Sequence, residues 1–257
     1  MQLRKIERPA VLRRLAQRFE LCAEKSGGGG RKNRGLVRLQ AFQERRVLRR
    51  QSRPAGLAAA VENLLVQLRT IVEPLDLAEL FPQPQPLEVE LGCGDASFLV
   101  EYARQNPGRH FLGVERLLGR LQKLDRKGRR AGLNNLRGVR IESAYFLQYL
   151  LPARAAAALH IYFPDPWPKK KHRRHRLINE TFPALARAAL APGGWIFLRT
   201  DDADYFQQMN EVFGAAKEFE KRETPLPLAE IITDFERDFN AQGILTLRAA
   251  YRMTNDE

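Results

Sequence analysis

Cysteine is scarce in this 257-residue sequence, which contains only Cys22 and Cys93. The two are far apart, and Cys93 lies within a glycine-containing turn. They therefore form neither a disulfide framework nor the spacing of a metal site. We expect no bound metal and a cytoplasmic protein, since the cytoplasm keeps thiols reduced.

Long apolar runs are also missing. No stretch approaches the about 20 residues that a membrane-spanning helix needs. The first twenty residues, MQLRKIERPAVLRRLAQRFE, are charged throughout and lack the apolar core of a signal peptide. Their apolar side chains predict at most an amphipathic helix with one apolar face. The sequence thus predicts neither a membrane segment nor secretion.

Acidic residues are rare in the first part of the chain. Up to Arg53 there are sixteen Lys and Arg against four Glu and no Asp, whereas the remainder is nearly balanced, 27 against 26. Such a segment is attracted to phosphate, although blocks of like charge are also typical of solvated tails. SGGGGRKNRG (26–35) has the composition of a flexible linker. We predict a basic, partly disordered extension over 1–44 and one main domain over 45–257.

Short apolar runs alternate with stretches of helical length in the main domain. This alternation predicts an α/β fold with a doubly wound, mostly parallel, Rossmann-like sheet, preceded by a helix over 53–72. KEFEKRE and GILTLRAAYR near the C-terminus are candidates for further strands. Ligands of such sheets bind at the carboxyl ends of the strands. The predicted strands are LEVEL (87–91), HFLGVE (110–115), GVRIE (138–142), ALHIYF (158–163) and GWIFLRT (194–200).

The ends of the first two predicted strands indicate a nucleoside site. Gly92 and Gly94 allow a tight turn and a close backbone approach before a helix N-terminus. Glu115, 21 residues beyond Gly94, can accept hydrogen bonds from ribose hydroxyls. The loop alone does not exclude NAD, because Ser97 offers a third small residue. Glu90 favours S-adenosylmethionine, which carries an ammonium and a sulfonium but no phosphate.

The fourth predicted strand ends in FPDPWPKKKHRRHR (163–176). The prolines on either side of Asp165 restrict its backbone and can hold its carboxylate in place. A cationic run alone is typical of a solvated loop. Directly after a carboxylate on the cofactor side, the run predicts a clamp for a phosphate backbone.

Several of these segments resemble bacterial tRNA (guanine-N7)-methyltransferases. The similarity extends from about Arg45 to about Arg252, and the Pro-Asp-Pro-Trp motif with its basic run is its most specific part. It implies a class I methyltransferase that uses S-adenosylmethionine to methylate a guanine in the variable loop of tRNA. The segments are ELGCGDASFLVEYARQNPGRHFLGVE, IYFPDPWPKKKHRRHRLI, LRTDDADY and TDFER.

The resemblance also implies roles for individual residues. The acid at the active centre is Asp165. The implied cofactor contacts are Glu90, Gly92, Gly94, Glu115 and Ser143. The implied substrate contacts are Lys169, Lys171, His172, Arg174, Arg176, Thr200, Asp201, Thr233 and Glu236.

Three positions depart from the family pattern. Ser143 stands where Asp or Asn is usual on the adenine side, so we expect weaker cofactor affinity. Lys171 and His175 stand where Arg is usual, and Lys cannot make the bidentate phosphate contact of Arg.

Guanine N7 has an in-plane lone pair and no proton, so its methylation needs positioning rather than a general base. Asp165 or Asp201, with Glu236, is expected to accept hydrogen bonds from the guanine N1–H and amine. Trp167 either stacks on the base or packs the loop.

Three alternatives remain at this point: a non-catalytic RNA-binding homologue, a class I methyltransferase acting on another RNA, and a nicotinamide oxidoreductase, which Glu90 disfavours. The expected partner is tRNA, with no membrane and no obligate protein partner. The chain is expected to be a monomer or a homodimer.

Overall fold

The computed structural model describes residues 63–254. The extension and linker predicted for residues 1–44, and the first part of the helix predicted for 53–72, lie outside the described residues. The position of the predicted boundary at residue 45 therefore stays a prediction.

Seven strands form one sheet in the order β3-β2-β1-β4-β5-β7-β6. Neighbouring pairs among β1 to β5 are parallel, whereas β7 pairs antiparallel with both β5 and β6. The prediction of a doubly wound, mostly parallel sheet is confirmed, as are the two added C-terminal strands. The strands are β1 (Leu87–Leu91), β2 (His110–Val114), β3 (Leu136–Val139), β4 (Ala156–Tyr162), β5 (Leu190–Thr200), β6 (Phe219–Arg222) and β7 (Leu247–Met253).

The connections between strands are mostly helical. A single π-helical turn, Phe146–Leu150, continues α4, and a short 3-10 helix, Lys170–His175, follows β4. The α-helices are α1 (Leu77–Leu80), α2 (Ser97–Gln105), α3 (Leu118–Arg130), α4 (Ser143–Tyr145), α5 (Phe182–Ala189), α6 (Ala203–Ala215), α7 (Leu226–Glu230) and α8 (Asp234–Ala241). Within residues 63–254, no helix is both long and apolar enough to cross a membrane.

The helix predicted over 53–72 is wrong for its described part, because residues 63–72 are not helical. Leu65 instead makes a parallel bridge with Gly138 at the edge of β3. The Leu64 N–H donates to the carboxylate of Asp125 at 2.9 Å, and the Leu64 side chain is buried. The apolar spacing that predicted a helix is thus satisfied by extended backbone packed on the sheet edge.

The sheet is covered on both faces, and its strands are accordingly apolar on both sides. Along β4, Leu159 and Ile161 belong to one buried cluster, whereas Ala158 and Tyr162 belong to the other. This alternation follows from the two-residue period of a strand. The strand order reverses between β1 and β4, which is where such sheets bind their ligands.

Candidate active site

The turn after β1 carries the first part of the site. Gly92 and Gly94 have φ of 79° and 55°, the left-handed region that glycine adopts without strain. The N–H groups of Gly92 and Cys93 donate to the Val114 carbonyl at 2.8 and 2.9 Å. These bonds fix the turn against the end of β2 and leave the backbone open to a ligand.

Glu115, directly after β2, forms hydrogen bonds with the same turn. One carboxylate oxygen accepts from the Gly94 N–H at 3.1 Å, and the other accepts from the Leu117 N–H at 2.7 Å. The carboxylate is therefore held in one orientation next to the glycine turn. The structure thus brings Glu115 and the glycine turn together.

Two adjoining cavities open at the carboxyl ends of the strands. They enclose about 350 and 280 Å³ and share six lining residues, among them Tyr162 and Asp165. The first cavity also contains Glu115, Ser143 and Trp167, and the second contains Glu90, Asp201 and Thr233. All five predicted cofactor contacts and the predicted catalytic Asp165 thus line one continuous space.

Glu90 is a buried acid that lines the second cavity. Its side chain lies in β1, and the residue is only 4% exposed. Its Oε2 atom has no hydrogen-bond partner among the described residues. Burial raises the pKa of Glu90 well above its ordinary value, against the attraction of Arg199 and with help from Asp95 and Glu115. A buried, unpartnered carboxylate facing a cavity fits a cationic ligand, as the ammonium of S-adenosylmethionine would be.

Ser143 begins α4 beside the first cavity. Its neighbour Glu142 accepts from the N–H groups of Ala144 and Tyr145 at 3.0 and 2.8 Å and so caps this helix. The sequence offered Ser143 as a departure from the family pattern but gave no sign that Glu142 is occupied in capping.

The loop that carries Asp165 has an unusual backbone. Phe163 and Trp167 both have positive φ, 51° and 45°, and they bracket the Pro164–Asp165–Pro166 segment. Left-handed backbone at non-glycine residues costs free energy and is concentrated at functional sites. Asp165 itself is exposed to the cavities. The strained ends and the prolines between them fix its direction.

Exposed cations follow this loop in the 3-10 helix and just before it. Lys169, Lys171 and Arg174 are exposed, and none of them makes an ion pair within residues 63–254. His172 packs edge-on against the ring of Trp167 at 5.9 Å. Within this segment, Trp167 and His175 line the first cavity, so the exposed cations lie next in sequence to residues of its lining.

Arg176 differs from its neighbours, because it points inward. It is 1% exposed and donates to the Pro166 carbonyl, the Gln208 amide and the Asp204 carboxylate at 2.6 to 2.7 Å. Its guanidinium also lies 4.6 Å from the Tyr205 ring centroid. Its donors are thus occupied in the protein interior, where Arg176 holds the Asp165 loop on α6. The substrate role implied for Arg176 stays a prediction.

Glu236 and Thr200 are also buried and hydrogen-bonded within the protein, and their implied substrate roles stay predictions. Glu236 is 0% exposed, and its oxygens accept from Arg199, Arg248 and the Thr233 N–H at 2.7 to 2.9 Å. Thr200 is buried, and its hydroxyl accepts from the Asp202 N–H at 3.1 Å. Neither residue lines the two cavities, and their polar atoms bind side chains and backbone within the protein.

Thr233 and Asp201 do line the second cavity. The Thr233 hydroxyl accepts from the Glu236 N–H at 2.9 Å, so the two residues form a capping box at the start of α8. This box places Phe235 and Phe239 against Phe163, with ring centroids 6.3 and 5.9 Å away. The C-terminal segment thus forms one wall of the site.

A buried polar network beneath the site was missed by the sequence reasoning. His160 meets the Tyr162 hydroxyl at 2.8 Å and the Glu88 carboxylate at 2.7 Å, and Arg109 donates to the same carboxylate at 2.6 Å. Tyr162 lines both cavities, and the Arg199 guanidinium lies 4.3 Å from its ring centroid. The signal available was a histidine and a tyrosine inside the otherwise apolar run ALHIYF.

The fold and the site define a class of protein. A mostly parallel sheet with an antiparallel β7 between β5 and β6, a glycine turn after β1 and an acid after β2 define a class I S-adenosylmethionine-dependent methyltransferase. The structure is similar to that of the 16S rRNA methyltransferase KamB, with a TM-score of 0.51 and 18% identity over 71% of this chain and 95% of that one.

Sequence comparison identifies the family. A protein-family profile described as "Putative methyltransferase" matches residues 84–249. The tRNA (guanine-N(7)-)-methyltransferase of Halorhodospira halophila is 34% identical over 226 residues, 84% of this chain and 98% of that protein. The enzyme of the same name from Syntrophotalea carbinolica is 35% identical over 179 residues, 68% of this chain and 77% of that protein. The chain belongs to the tRNA (guanine-N7)-methyltransferase family.

Proposed function

We propose that this protein transfers a methyl group from S-adenosylmethionine to N7 of a guanine in the variable loop of tRNA. The observation that carries the proposal is the meeting of two cavities at Asp165, one of which contains the unpartnered Glu90 carboxylate. Membership of the tRNA (guanine-N7)-methyltransferase family supports the same reaction.

The cofactor would be held by residues from three strand ends. The turn with Gly92 and Gly94 allows close approach, and Glu115 and Ser143 line the first cavity beside it. Glu90 in the second cavity supplies a negative charge for the ammonium. When bound, S-adenosylmethionine supplies an electrophilic methyl group on its sulfonium.

The acceptor requires orientation rather than deprotonation, since N7 of guanine carries a free lone pair. Asp165 and Asp201 are exposed carboxylates on the second cavity. They can accept hydrogen bonds from the guanine N1–H and exocyclic amine, and so aim N7 at the methyl group. Glu236 supports this arrangement by holding Thr233 and α8, without touching the base. Trp167, on the rim of the first cavity, can stack on a base turned out of the tRNA.

The phosphate backbone of the tRNA would be held by the exposed cations Lys169, Lys171 and Arg174. They have no acidic partners within residues 63–254, so their charge is available to phosphates. His172 helps to hold Trp167. The scarcity of cysteine supports a cytoplasmic location, where tRNA substrates are present.

The test is transfer of labelled methyl from S-adenosylmethionine to unmodified tRNA, with the product mapped by cleavage at 7-methylguanosine. Asp165→Asn is compared with Asp238→Asn, which changes an exposed acid on α8 that lines neither cavity. We expect label at a variable-loop guanine with the wild-type protein and Asp238→Asn, and its loss with Asp165→Asn. Full turnover by Asp165→Asn would overturn the role of Asp165. Ribosomal RNA is offered to the enzyme in a parallel reaction. Label in ribosomal RNA but not in tRNA would show that tRNA is not the substrate.

A further inference from the structure

The solvent face of α3 carries a stripe of cations that the motifs do not explain. Arg120, Lys123, Lys127 and Arg130 recur at intervals of three and four residues, which places them along one face of the helix. Arg126 lies at the edge of the same face. The opposite side of α3 is buried in the core through Leu121, Leu124, Asp125 and Gly128.

Most of these cations are uncompensated. Lys127 is paired with Asp95 at 2.9 Å, and it lies 3.6 Å from Asp234. Arg120, Lys123, Arg126 and Arg130 are exposed, and none of the four takes part in an ion pair or side-chain hydrogen bond found within residues 63–254. If these cations served only to stabilise α3, we would expect acidic side chains three or four residues away from them on the same helix.

Helix stabilisation does not account for the stripe either. Cations near the C-terminus of a helix are favourable for its dipole, which explains Arg130 and the paired Arg129. Arg120 lies in the first turn, where a cation opposes the dipole, and this turn contains no acidic residue. The charge of Arg120 therefore destabilises α3, which indicates that this side chain interacts with something outside the helix.

The stripe starts at the site. Arg120 lines both cavities, and the first cavity is also lined by Trp167 and His175, which belong to the basic segment after β4. From Arg120 to Arg130 the helix advances about 15 Å. Two basic segments therefore meet at the first cavity, the loop after β4 and α3.

We propose that the face formed by Arg120, Lys123, Arg126 and Arg130 is a second surface for the tRNA backbone. It would bind the phosphates on one side of the target guanine, while the loop after β4 binds those on the other side. This inference rests on the proposed function. Two cationic surfaces flanking one cavity can hold both strands of backbone that lead to a base turned into it.

The test compares two triple variants that change the net charge equally. Lys123→Gln, Arg126→Gln and Arg130→Gln remove three charges from α3 and leave the cavity residue Arg120 in place. Lys217→Gln, Lys221→Gln and Arg222→Gln remove three exposed charges in and just before β6, at the far edge of the sheet. Lys221 and Arg222 have surface partners, Asn210 and Glu220. Binding of unmodified tRNA is measured between 50 and 250 mM salt, together with kcat, KM and affinity for S-adenosylhomocysteine.

For the α3 variant we expect tRNA affinity to fall about 10-fold at 0.1 M salt and the log–log salt slope to decrease by about 2 to 3. Its kcat at saturating tRNA and its S-adenosylhomocysteine affinity should stay at the wild-type values, which also shows that it is folded. The β6 variant should keep the wild-type slope. An unchanged salt slope in the α3 variant, or equal losses of tRNA affinity in both variants, would overturn the inference. The proposed function would still stand in that case if the wild-type protein methylated tRNA. Absence of tRNA methylation by the wild type would instead overturn the proposed function and this inference with it.

Discussion

The guanidinium of Arg199 lies 2.7 Å from the carboxylate of Glu236, and the two side chains are 1% and 0% exposed. Arg199 comes from the end of β5 and Glu236 from the first turn of α8. The same guanidinium donates to the carbonyls of Ile231 and Leu228 at 2.7 and 2.6 Å. One buried cation therefore ties the whole segment from α7 to α8 to the central sheet.

Replacing Glu236 by Gln should lower the free energy of unfolding by about 3 kcal/mol at pH 7, because it leaves the buried Arg199 without its counter-charge. Burial raises the pKa of Glu236, but Arg199, the Thr233 N–H and Arg248 outweigh it, so the pKa lies below the ordinary 4.5. The contribution of Glu236 is thus complete above pH 4.5 and is lost as the pH falls through its lowered value. The measurement is urea unfolding at several pH values between 7 and 3.

The control for this prediction is Glu230→Gln, which changes an exposed acid at the end of α7. It should differ from the wild type by less than about 0.5 kcal/mol. A Glu236→Gln protein that unfolded at the wild-type urea concentration at pH 7 would contradict a stabilising role for the pair.

Affinity for S-adenosylhomocysteine should rise with pH as Glu90 ionises. Burial raises the pKa of Glu90, so at low pH the ligand-free protein holds this carboxyl neutral. A ligand ammonium favours the ionised form, and its binding is therefore weakened below the raised pKa. Titration calorimetry at a series of pH values from 4.5 upwards measures this dependence. Glu90→Gln should bind at least about 10-fold more weakly, since a lost charge-assisted hydrogen bond costs 1.5 kcal/mol or more.

The same variant also supplies the decisive comparison. Glu90→Gln should have nearly the same affinity across this pH range, because it has no charge to gain. An equal pH dependence in both proteins would place the titrating group elsewhere.

Arg174 and Arg176, two residues apart, should give opposite kinds of defect. Arg174→Gln removes an exposed charge, so tRNA affinity should fall about 3-fold and the salt slope should decrease by about 1, without loss of stability. Arg176→Gln removes an interior guanidinium that holds the Asp165 loop. It should lower the melting temperature and kcat while leaving the salt slope unchanged. Identical salt slopes for the two variants would show that Arg174 does not meet phosphate.

Two glycines in α3 should respond in opposite directions to alanine. A Cβ at Gly119 would meet nothing within 4 Å, so Gly119→Ala should stabilise the protein by about 0.5 to 1 kcal/mol through helix propensity. A Cβ at Gly128 would lie 2.5 Å from Cδ1 of the buried Leu64. Gly128→Ala should therefore cost about 1 to 3 kcal/mol from overpacking. Thermal unfolding of both variants measures the difference, and a stabilised Gly128→Ala would mean that Leu64 moves aside freely.

The strands were predictable because buried parallel strands are short, nearly continuous apolar runs. LEVEL coincides with β1, and Glu90 was singled out by its place before the turn, but the partner of Glu88 could not be predicted. Glu88 pairs with His160, 72 residues later in the chain, whereas Glu90 is left without such a partner. The glycine turn and Glu115 were predictable because their geometry is local to two strand ends.

The sequence did not predict which cationic side chains point into the protein and which point into solvent. Arg176 turns inward because Asp204 and Gln208, about thirty residues later, face it from α6. Arg174 in the same run has no such partner and stays outside. The internal contacts of Arg176 and Glu236 could not be predicted for one reason: a motif records which residues recur together, not whether they touch the ligand or each other.

The order of the strands also constrains when the site can form. β7, the last strand in the described chain, lies between β5 and β6, and β6 pairs with β7 alone. During synthesis β6 therefore has no place in the sheet until residues 247–253 have left the ribosome. Arg248 of β7 also donates to Glu236 at 2.8 Å, so the wall of the site carrying Thr233 is completed by the same late segment. A ribosome-bound chain stalled before β7 would carry the glycine turn, Glu90 and Asp165, but it could not yet close the wall beside them.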